Sequence, residues 1–491
     1  MAASPKLLNL VPGIPLLQYF PVITAVWLLV TLAMGGLVPA PAFALCLALL
    51  GWLWRRSNGR PFERFPDATL GLILLAAYLS TFRWHGGDDA PNSLLPFCLL
   101  RHGTLTLEPV LDPWFVGKLD NFTVTHLGKH LSIYPIVPGL LALPVYLIPA
   151  LSGATIAEPT LHGLSKLSGA AITALSAVVL LRALKGRCSP EFAFALSFLY
   201  ALGTWAFSVS SQALWQHGPA ALGVALALWG FNEPGSKFDA LAGFGLGLAV
   251  AARPDSVFFL AAGGLYVLFF ARKRLPGFAL GAAVPLGLLA AYWLAYTGRL
   301  RPPEADFQAK IFRAFQPGAF WGLLASPTRG LFLFFPPAAF GLLAAWRSRD
   351  PLVKLMTAAC AGPWLLLCFY DTWVGGSAFG PRYFAVAALV LCWATAGLES
   401  WLAATAPRAR AWSVCVAASF LVHASGGYLL WPGTDQFAAE KADLWRWSLH
   451  PLANVLTSDG ALRSLPLVAR LAIFVAAAFA AWFTARRLQP K

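Results

Sequence analysis

The sequence predicts an all-α polytopic membrane protein with about 14 transmembrane helices. Two observations carry this reading. Hydrophobic residues make up 58% of the 491 and charged residues only 12%, with a mean hydropathy of +0.66; a soluble domain runs at about 45–50% apolar and about 25% charged. The charges that remain are also sorted, with Lys and Arg concentrated in alternate loops between apolar windows. The composition excludes a soluble multidomain enzyme, a disordered chain and a secreted disulfide scaffold. A nucleic-acid binder is excluded too, despite the formal net charge of +15.

A helix that crosses a bilayer needs about 20 mainly apolar residues. Windows of that kind lie at 17–36, 38–54, 68–84, 167–184, 190–207, 213–231, 238–252, 256–271, 276–296, 330–346, 352–370, 382–403, 411–430 and 465–485. Pro and Gly blur the edges of the first two and of the 238–271 pair, but membrane helices tolerate such breakers. The small-residue run Ala40–Ala44 has the spacing of a signal-peptidase site. The apolar stretch before it is long and only Lys6 precedes it, so it reads as uncleaved.

Loop cations set the orientation. One set of alternate loops holds Lys6, Arg55, Arg56, Arg60, Arg64, Arg182, Lys185, Arg187, Lys237, Arg272, Lys273, Arg274, Arg347, Arg349, Lys354, Arg408, Arg410, Arg486, Arg487 and Lys491. These are 20 of the 36 cations, against seven of the 21 acids, so this side carries +13 and the other +2. The cation-rich side is expected to be cytoplasmic, with both termini on it. Residues 134–152 are apolar enough to span, but a span there would move Arg182, Lys185 and Arg187 outside. With four prolines after Tyr134, the segment reads as juxtamembrane. Five of the seven cysteines fall in windows, and none has metal-ligand spacing or implies a disulfide framework.

The outer loops are unequal, and the longest runs from His85 to about Ser165. A transporter usually has short loops and ionisable groups at mid-membrane. Here the outer charges lie in loops and at span edges, which points to chemistry at the outer face. The long loop opens Arg83-Trp84-His85-Gly86-Gly87-Asp88-Asp89-Ala90-Pro91-Asn92. Two readings stand open: a solvated N-cap for the next helix, or a general base tuned by an apolar boundary and nearby cations. Residues 93–101 are too short to span and fit an interfacial helix along the outer leaflet. Lys129 and His130 fit either an interfacial belt or a phosphate contact. Arg329 and Arg382 each end a loop at a membrane boundary beside Gly or Pro, where an Arg can snorkel. Several arginines on one face also suit a phosphate, which the planar guanidinium binds bidentately. Arg253-Pro254-Asp255 reads first as a local salt-bridged turn, with a phosphate contact as the second reading.

In this order the residues resemble the polytopic GT-C glycosyltransferases, a superfamily that includes protein O-mannosyltransferases and lipid A aminoarabinose transferases. The resemblance rests on Gly87-Asp88-Asp89 followed by Pro91, Leu95-Pro96-Phe97, Leu99-Leu100-Arg101, Gly103 and Leu107-Glu108. It continues through Tyr134-Pro135-Ile136-Val137-Pro138-Gly139, Leu214-Trp215-Gln216-His217 and Arg253-Pro254. Ser326-Pro327-Thr328-Arg329-Gly330-Leu331-Phe332, Gly375-Gly376 and Phe379-Gly380-Pro381-Arg382-Tyr383 complete it. It spans roughly residues 68–385, and order, sidedness and spacing carry it rather than any single motif. Two windows precede the acidic motif where many members have one. Tyr134 stands where some members place a lysine, with Lys129 as a substitute. A large soluble C-terminal domain found in some members is not expected.

The resemblance implies an inverting enzyme that takes a sugar from a polyprenyl-phosphate donor to a hydroxyl of a lipid, glycan or protein acceptor at the outer face of a bacterial inner membrane. It implies Asp88 as catalytic base with Asp89 assisting. Arg329 and Arg382, then Lys129 and Arg253, with Tyr134 and His217, would serve as substrate and phosphate contacts. Some members use a divalent metal; no His/Asp cluster of ligand spacing calls for one here, and no cofactor is firmly expected. The partners implied are the lipid-linked donor, membrane lipids and the acceptor, with no nucleic acid. The chain then divides into an N-terminal transmembrane hairpin (1–66), a catalytic transmembrane module (67–385, its outer loop at 85–165) and C-terminal transmembrane helices (386–491). A transporter or lipid-linked-sugar flippase, and a non-catalytic scaffold of the same fold, are the competing readings.

Overall fold

The computed structural model describes residues 40–81, 88–110, 122–303, 305, 309, 311–376, 378–428 and 444–456. They fall into two compact units, one within Met1–Phe82 and one within Arg83–Lys491. The windows 17–36 and 465–485, and Arg83, His85 and Gly87 of the acidic motif, lie outside the described residues.

In the first unit α1 (Ala40–Arg56) packs on α2 (Pro66–Leu79). Arg55 and Arg56 occupy the last turn of α1, where the helix dipole favours cations. Pro66 opens α2, at a position whose N–H would have no helical partner anyway.

The second unit begins with α3 (Ala90–His102), directly after Asp88-Asp89. A hairpin of β1 (Thr123–His126) and β2 (Lys129–Ser132) follows, antiparallel with Val124 opposite Leu131. Its second strand is tied back to the segment after α3, since Leu107 N donates to His130 O at 2.9 Å and His130 N donates to the Glu108 carboxylate. Next come α4 (Val137–Leu151) and α5 (Glu158–Leu184), and α3, α4 and α5 pack on one another. Residues Pro91–Cys98 of α3 are buried. The short helix expected to lie along the leaflet is therefore enclosed by protein over this stretch, because α4 and α5 both close on it. The segment expected as juxtamembrane forms α4, with Pro144 and Pro149 inside it, and leaves Leu147, Ile148 and Leu151 exposed.

The chain continues through α6 (Pro190–Leu202), a π-helical turn at Ala206–Ser210, α7 (His217–Asn232), α8 (Ser236–Ala252), α9 (Val257–Phe270) and α10 (Leu275–Thr297). After these come α11 (Pro317–Ala325), α12 (Ala338–Arg347), α13 (Pro351–Ala359), α14 (Ala361–Leu367), α15 (Ala385–Thr395) and α16 (Ala406–Tyr428). Each apolar window among the described residues contains helix. The window 330–346 is interrupted: a short turn at Leu331–Phe334 ends before Pro336-Pro337, since neither proline can donate a helical hydrogen bond. Glu158–Leu184, Arg272–Thr297 and Arg382–Ala403 are long and apolar enough to cross a membrane; Pro66–Leu79, Val137–Leu151, Pro190–Leu202, Pro254–Phe270 and Pro351–Leu367 are shorter apolar helices. Phe269 and Phe270 at the end of α9, and Leu280 and Leu288 on α10, are exposed, as lipid-facing side chains would be. The fold is thus all-α but for the one described hairpin, while the count of about fourteen spans rests on the sequence.

Without the hydrophobic effect to drive them together in lipid, membrane helices associate through close backbone packing at small residues. A Cβ on Gly223 of α7 would lie 2.5 Å from the Gly245 carbonyl of α8, and one on Gly243 of α8 would lie 1.8 Å from the Phe278 carbonyl of α10. The backbones touch there. This antiparallel packing brings the start of α7, at His217, beside the end of α8, at Arg253.

Candidate active site

Asp88 sits in the turn ahead of α3, with its side chain 31% exposed, and accepts from Arg382 Nη2 at 3.0 Å. Arg382 arrives from a loop distant in sequence, at the start of the 3-10 turn Arg382–Phe384. Its guanidinium lies over the Trp215 ring, 5.3 Å to the centroid, and 5.9 Å from that of Tyr383. Arg382 Nε is buried with no hydrogen-bond partner among the described residues. Tyr134 also hydrogen-bonds Asp88. Burial, and then the facing Asp88 charge, push its phenol well above the usual range, so it remains a donor at neutral pH. The Tyr134 backbone is set by its own N–H, which donates to Ser132 Oγ at 2.9 Å, at the exit of β2.

A second cation stands beside this pair. Arg253 caps α8 and forms the expected local ion pair, Nε and Nη2 donating to the two Asp255 oxygens at 2.6 and 2.7 Å. Its Nη1 donates to the ring of His217, and its Cζ lies 5.2 Å from the Tyr383 centroid. His217 in turn meets Tyr383 edge-on at 6.4 Å. Asp88, Tyr134, His217, Arg253 and Arg382, widely separated in sequence, are thereby joined in one continuous cluster, with Trp215 and Tyr383 as the aromatic surfaces between them.

Asp89 faces a different environment. It is 3% exposed and accepts from Ser165 Oγ of α5 and, at 3.5 Å, from Ser93 Oγ. Burial raises its carboxyl above the ordinary range, against the lowering effects of Ser165 and His162. These hydroxyls anchor the group that the resemblance gives an assisting role beside Asp88.

Two expected phosphate contacts are placed elsewhere. Lys129 stands on the hairpin with its Nζ 4.9 Å from the Tyr296 centroid, and none of the contacts of the described residues joins it to the Asp88 cluster. Arg329 is fully buried at 0% exposure. Its Nε donates to Val374 O at 2.8 Å, Nη1 to Thr328 O at 3.2 Å and Nη2 to Gly376 O at 3.4 Å. It therefore braces the Gly375-Gly376 loop. A side chain at Gly375 would come 3.1 Å from the Tyr383 ring, so Arg329 supports the wall behind Arg382 and Tyr383 from the inside.

Trp215 and Tyr383 stand within motifs that carry the resemblance, but sequence reasoning assigned neither a role. Ser165 gave no signal, being one hydroxyl among several on α5. No group of three or more His, Cys, Asp and Glu side chains that could hold a metal occurs among the described residues. The donor set does not fit a divalent ion either, with Asp88 facing Arg382 and Tyr134, and Asp89 held by serines.

Neither a protein-family model nor a curated protein matches the chain. Among solved structures it is similar to ArnT from Cupriavidus metallidurans bound to undecaprenyl phosphate, at 13% identity and a TM-score of 0.45, over 86% of this chain and 77% of that one. It is also similar to the oligosaccharyltransferase AglB from Archaeoglobus fulgidus in complex with an inhibitory peptide and a dolichol-phosphate, at 13% identity and a TM-score of 0.44, over 77% of this chain and 58% of that one. A further Archaeoglobus fulgidus oligosaccharyltransferase structure, with Zn and sulfate, gives 15% identity and a TM-score of 0.46 over 75% of this chain. The chain spans little more than half the length of these archaeal proteins, 58% and 54%.

Proposed function

We propose that the protein is an inverting membrane glycosyltransferase that takes a sugar from a polyprenyl-phosphate donor at the outer face of the bacterial inner membrane. The acceptor is a hydroxyl of a lipid, glycan or protein. The observation that carries this reading is a partly exposed carboxylate, Asp88, oriented by Arg382 and Tyr134 beside a second arginine and two aromatic surfaces. The order of motifs in the sequence supports the same reading.

Asp88 acts as general base. It takes the proton of the acceptor hydroxyl as that oxygen bonds to the anomeric carbon. The bond from this carbon to the phosphate oxygen breaks on the opposite face, and its electron pair leaves with the phosphate. The leaving group needs no protonated acid, only cations for its growing charge. Arg382 supplies one, while Arg253, paired with Asp255, braces His217 and Tyr383 beside it; a preorganised donor of this kind contributes about 3 kcal/mol. Trp215 and Tyr383 present apolar faces suited to a sugar or prenyl surface.

The test uses the full chain in lipid nanodiscs with a panel of undecaprenyl-phosphate-linked sugars, and measures release of undecaprenyl phosphate. Asp88→Asn should fold normally and lose about 10²–10⁴-fold in turnover. Undiminished turnover in that variant, or passage of the lipid-linked sugar across liposomes without a covalent product, would overturn the assignment.

A further inference from the structure

The two acids of the motif are joined to the cation cluster by a second route that does not touch substrate. Ser165 Oγ donates its one proton to Asp89 Oδ2 and accepts from Leu214 N at 2.9 Å. A hydroxyl has a single hydrogen, so the chain has one polarity: Leu214 N–H to Ser165 O–H to the Asp89 carboxylate. The next residue on α5 makes a parallel tie, Lys166 Nζ donating to Gln212 Oε1 at 2.9 Å. The loop 212–215 lies against α5 because Gly169, one turn on, has no side chain; a Cβ there would be 2.3 Å from the Ala213 carbonyl oxygen.

These links close a ring. Asp89 is the covalent neighbour of Asp88. Asp88 pairs with Arg382, Arg382 stacks on Trp215, and Trp215 is the covalent neighbour of Leu214. Leu214 returns through Ser165 to Asp89. Removing the Ser165 hydroxyl opens the ring at a buried point remote from the reacting atoms. It leaves Asp89 and the Leu214 amide each short of a partner, and buried polar groups in that state are costly.

We propose that Ser165 is a positioning residue that sets the acidic turn and the Trp215 loop in register, and so fixes the approach of Arg382 to Asp88. This rests on the glycosyltransferase reading for its effect on turnover, but not for its structural content. The experiment compares wild type, Ser165→Ala and Ser165→Thr, each as the full chain in nanodiscs. Hydrogen exchange is followed in peptides covering 88–93 and 212–217, and release of undecaprenyl phosphate from its sugar conjugate is timed. Ser165→Ala should speed exchange in both peptides together and lower kcat by about 10–100-fold, the cost of a small misplacement at a reacting pair. The donor KM should stay within about threefold, since no group that touches the donor is lost. Ser165→Thr, which keeps the hydroxyl, should restore both readouts. Unchanged exchange in either peptide overturns the proposal, and so does faster exchange with unaltered kcat. Should wild type itself release no undecaprenyl phosphate, the proposed reaction falls, while coupled exchange in the two peptides still decides the register.

Discussion

Asp88 and Asp89 are neighbours of the same chemical type, and their surroundings separate them. Asp88 is partly exposed against a guanidinium; Asp89 is buried among hydroxyls, and its carboxyl is raised mainly by burial. An acid whose pKa is raised on folding contributes stability that is fully present below its unfolded pKa of about 3.9, and that is lost as pH rises through the folded value. Asp89→Asn carries no such charge. Thermal midpoints of wild type and Asp89→Asn in the same detergent should therefore favour wild type most at acid pH, with the gap moving toward the Asn variant as pH rises. A gap that is flat with pH, or moves the other way, would mean that the buried carboxyl does not resist ionisation. The arginines show what spacing leaves unread. Arg329 and Arg382 sit in similar sequence settings, each at a loop end beside Gly or Pro. Polarity in an apolar chain makes both stand out. Only the fold decides that one meets the carbonyls of Val374 and Gly376 and the other meets Asp88.

At the scale of elements, the site depends on how two helix ends are held. Helices α7 and α8 are joined by a turn at 233–235. At that end Arg274 donates to the Gly230, Phe231 and Glu233 carbonyls and pairs with Asp239, satisfying groups that a helix C-terminus leaves open. At the far end His217 and Arg253 meet. Between the two, the contact is backbone on backbone at Gly223 and Gly245. Gly245→Ala would place a Cβ 2.4 Å from the Gly223 carbonyl oxygen. Overpacking of that kind costs about 1–3 kcal/mol, so the thermal midpoint should fall. Gly264→Ala, on α9, meets nothing within 4 Å and should leave it nearly unchanged. Equal midpoints for the two variants would show that this packing is not tight. The helices were legible as apolar windows, since composition alone marks them. Their breaks at Pro336-Pro337 and near Cys360, and the enclosure of α3, were not, because they depend on what packs alongside.

For the second unit as a whole, the sorting of charge along the sequence reappears as two ends of its helix bundle. At one end Asn232 Nδ2 donates to Lys185 O, Arg187 pairs with Asp350, Ser189 donates to Glu399, and Arg274 closes α7. At the other end of the same helices stand Ser165, His217 and Arg253, with Asp88. Alternate loops rich in Lys and Arg thus gather away from the candidate site, which is what the positive-inside rule expects of a site at the outer face. This is open to direct measurement. Leu127 is 74% exposed at the hairpin turn, on the site-bearing side of the sequence, and Arg349 lies in a cation-rich loop. In intact cells a membrane-impermeant maleimide should label Leu127→Cys and not Arg349→Cys, and both should react once the membrane is permeabilised. The native Cys188, partly exposed and next to Arg187 at the cation-rich end, should be silent from outside and serves as an internal reference. Labelling of Arg349→Cys in intact cells with Leu127→Cys protected would invert the topology. It would place Asp88 on the cytoplasmic face, where the acceptor hydroxyl would have to be sought among cytoplasmic lipids and sugars rather than at the outer surface.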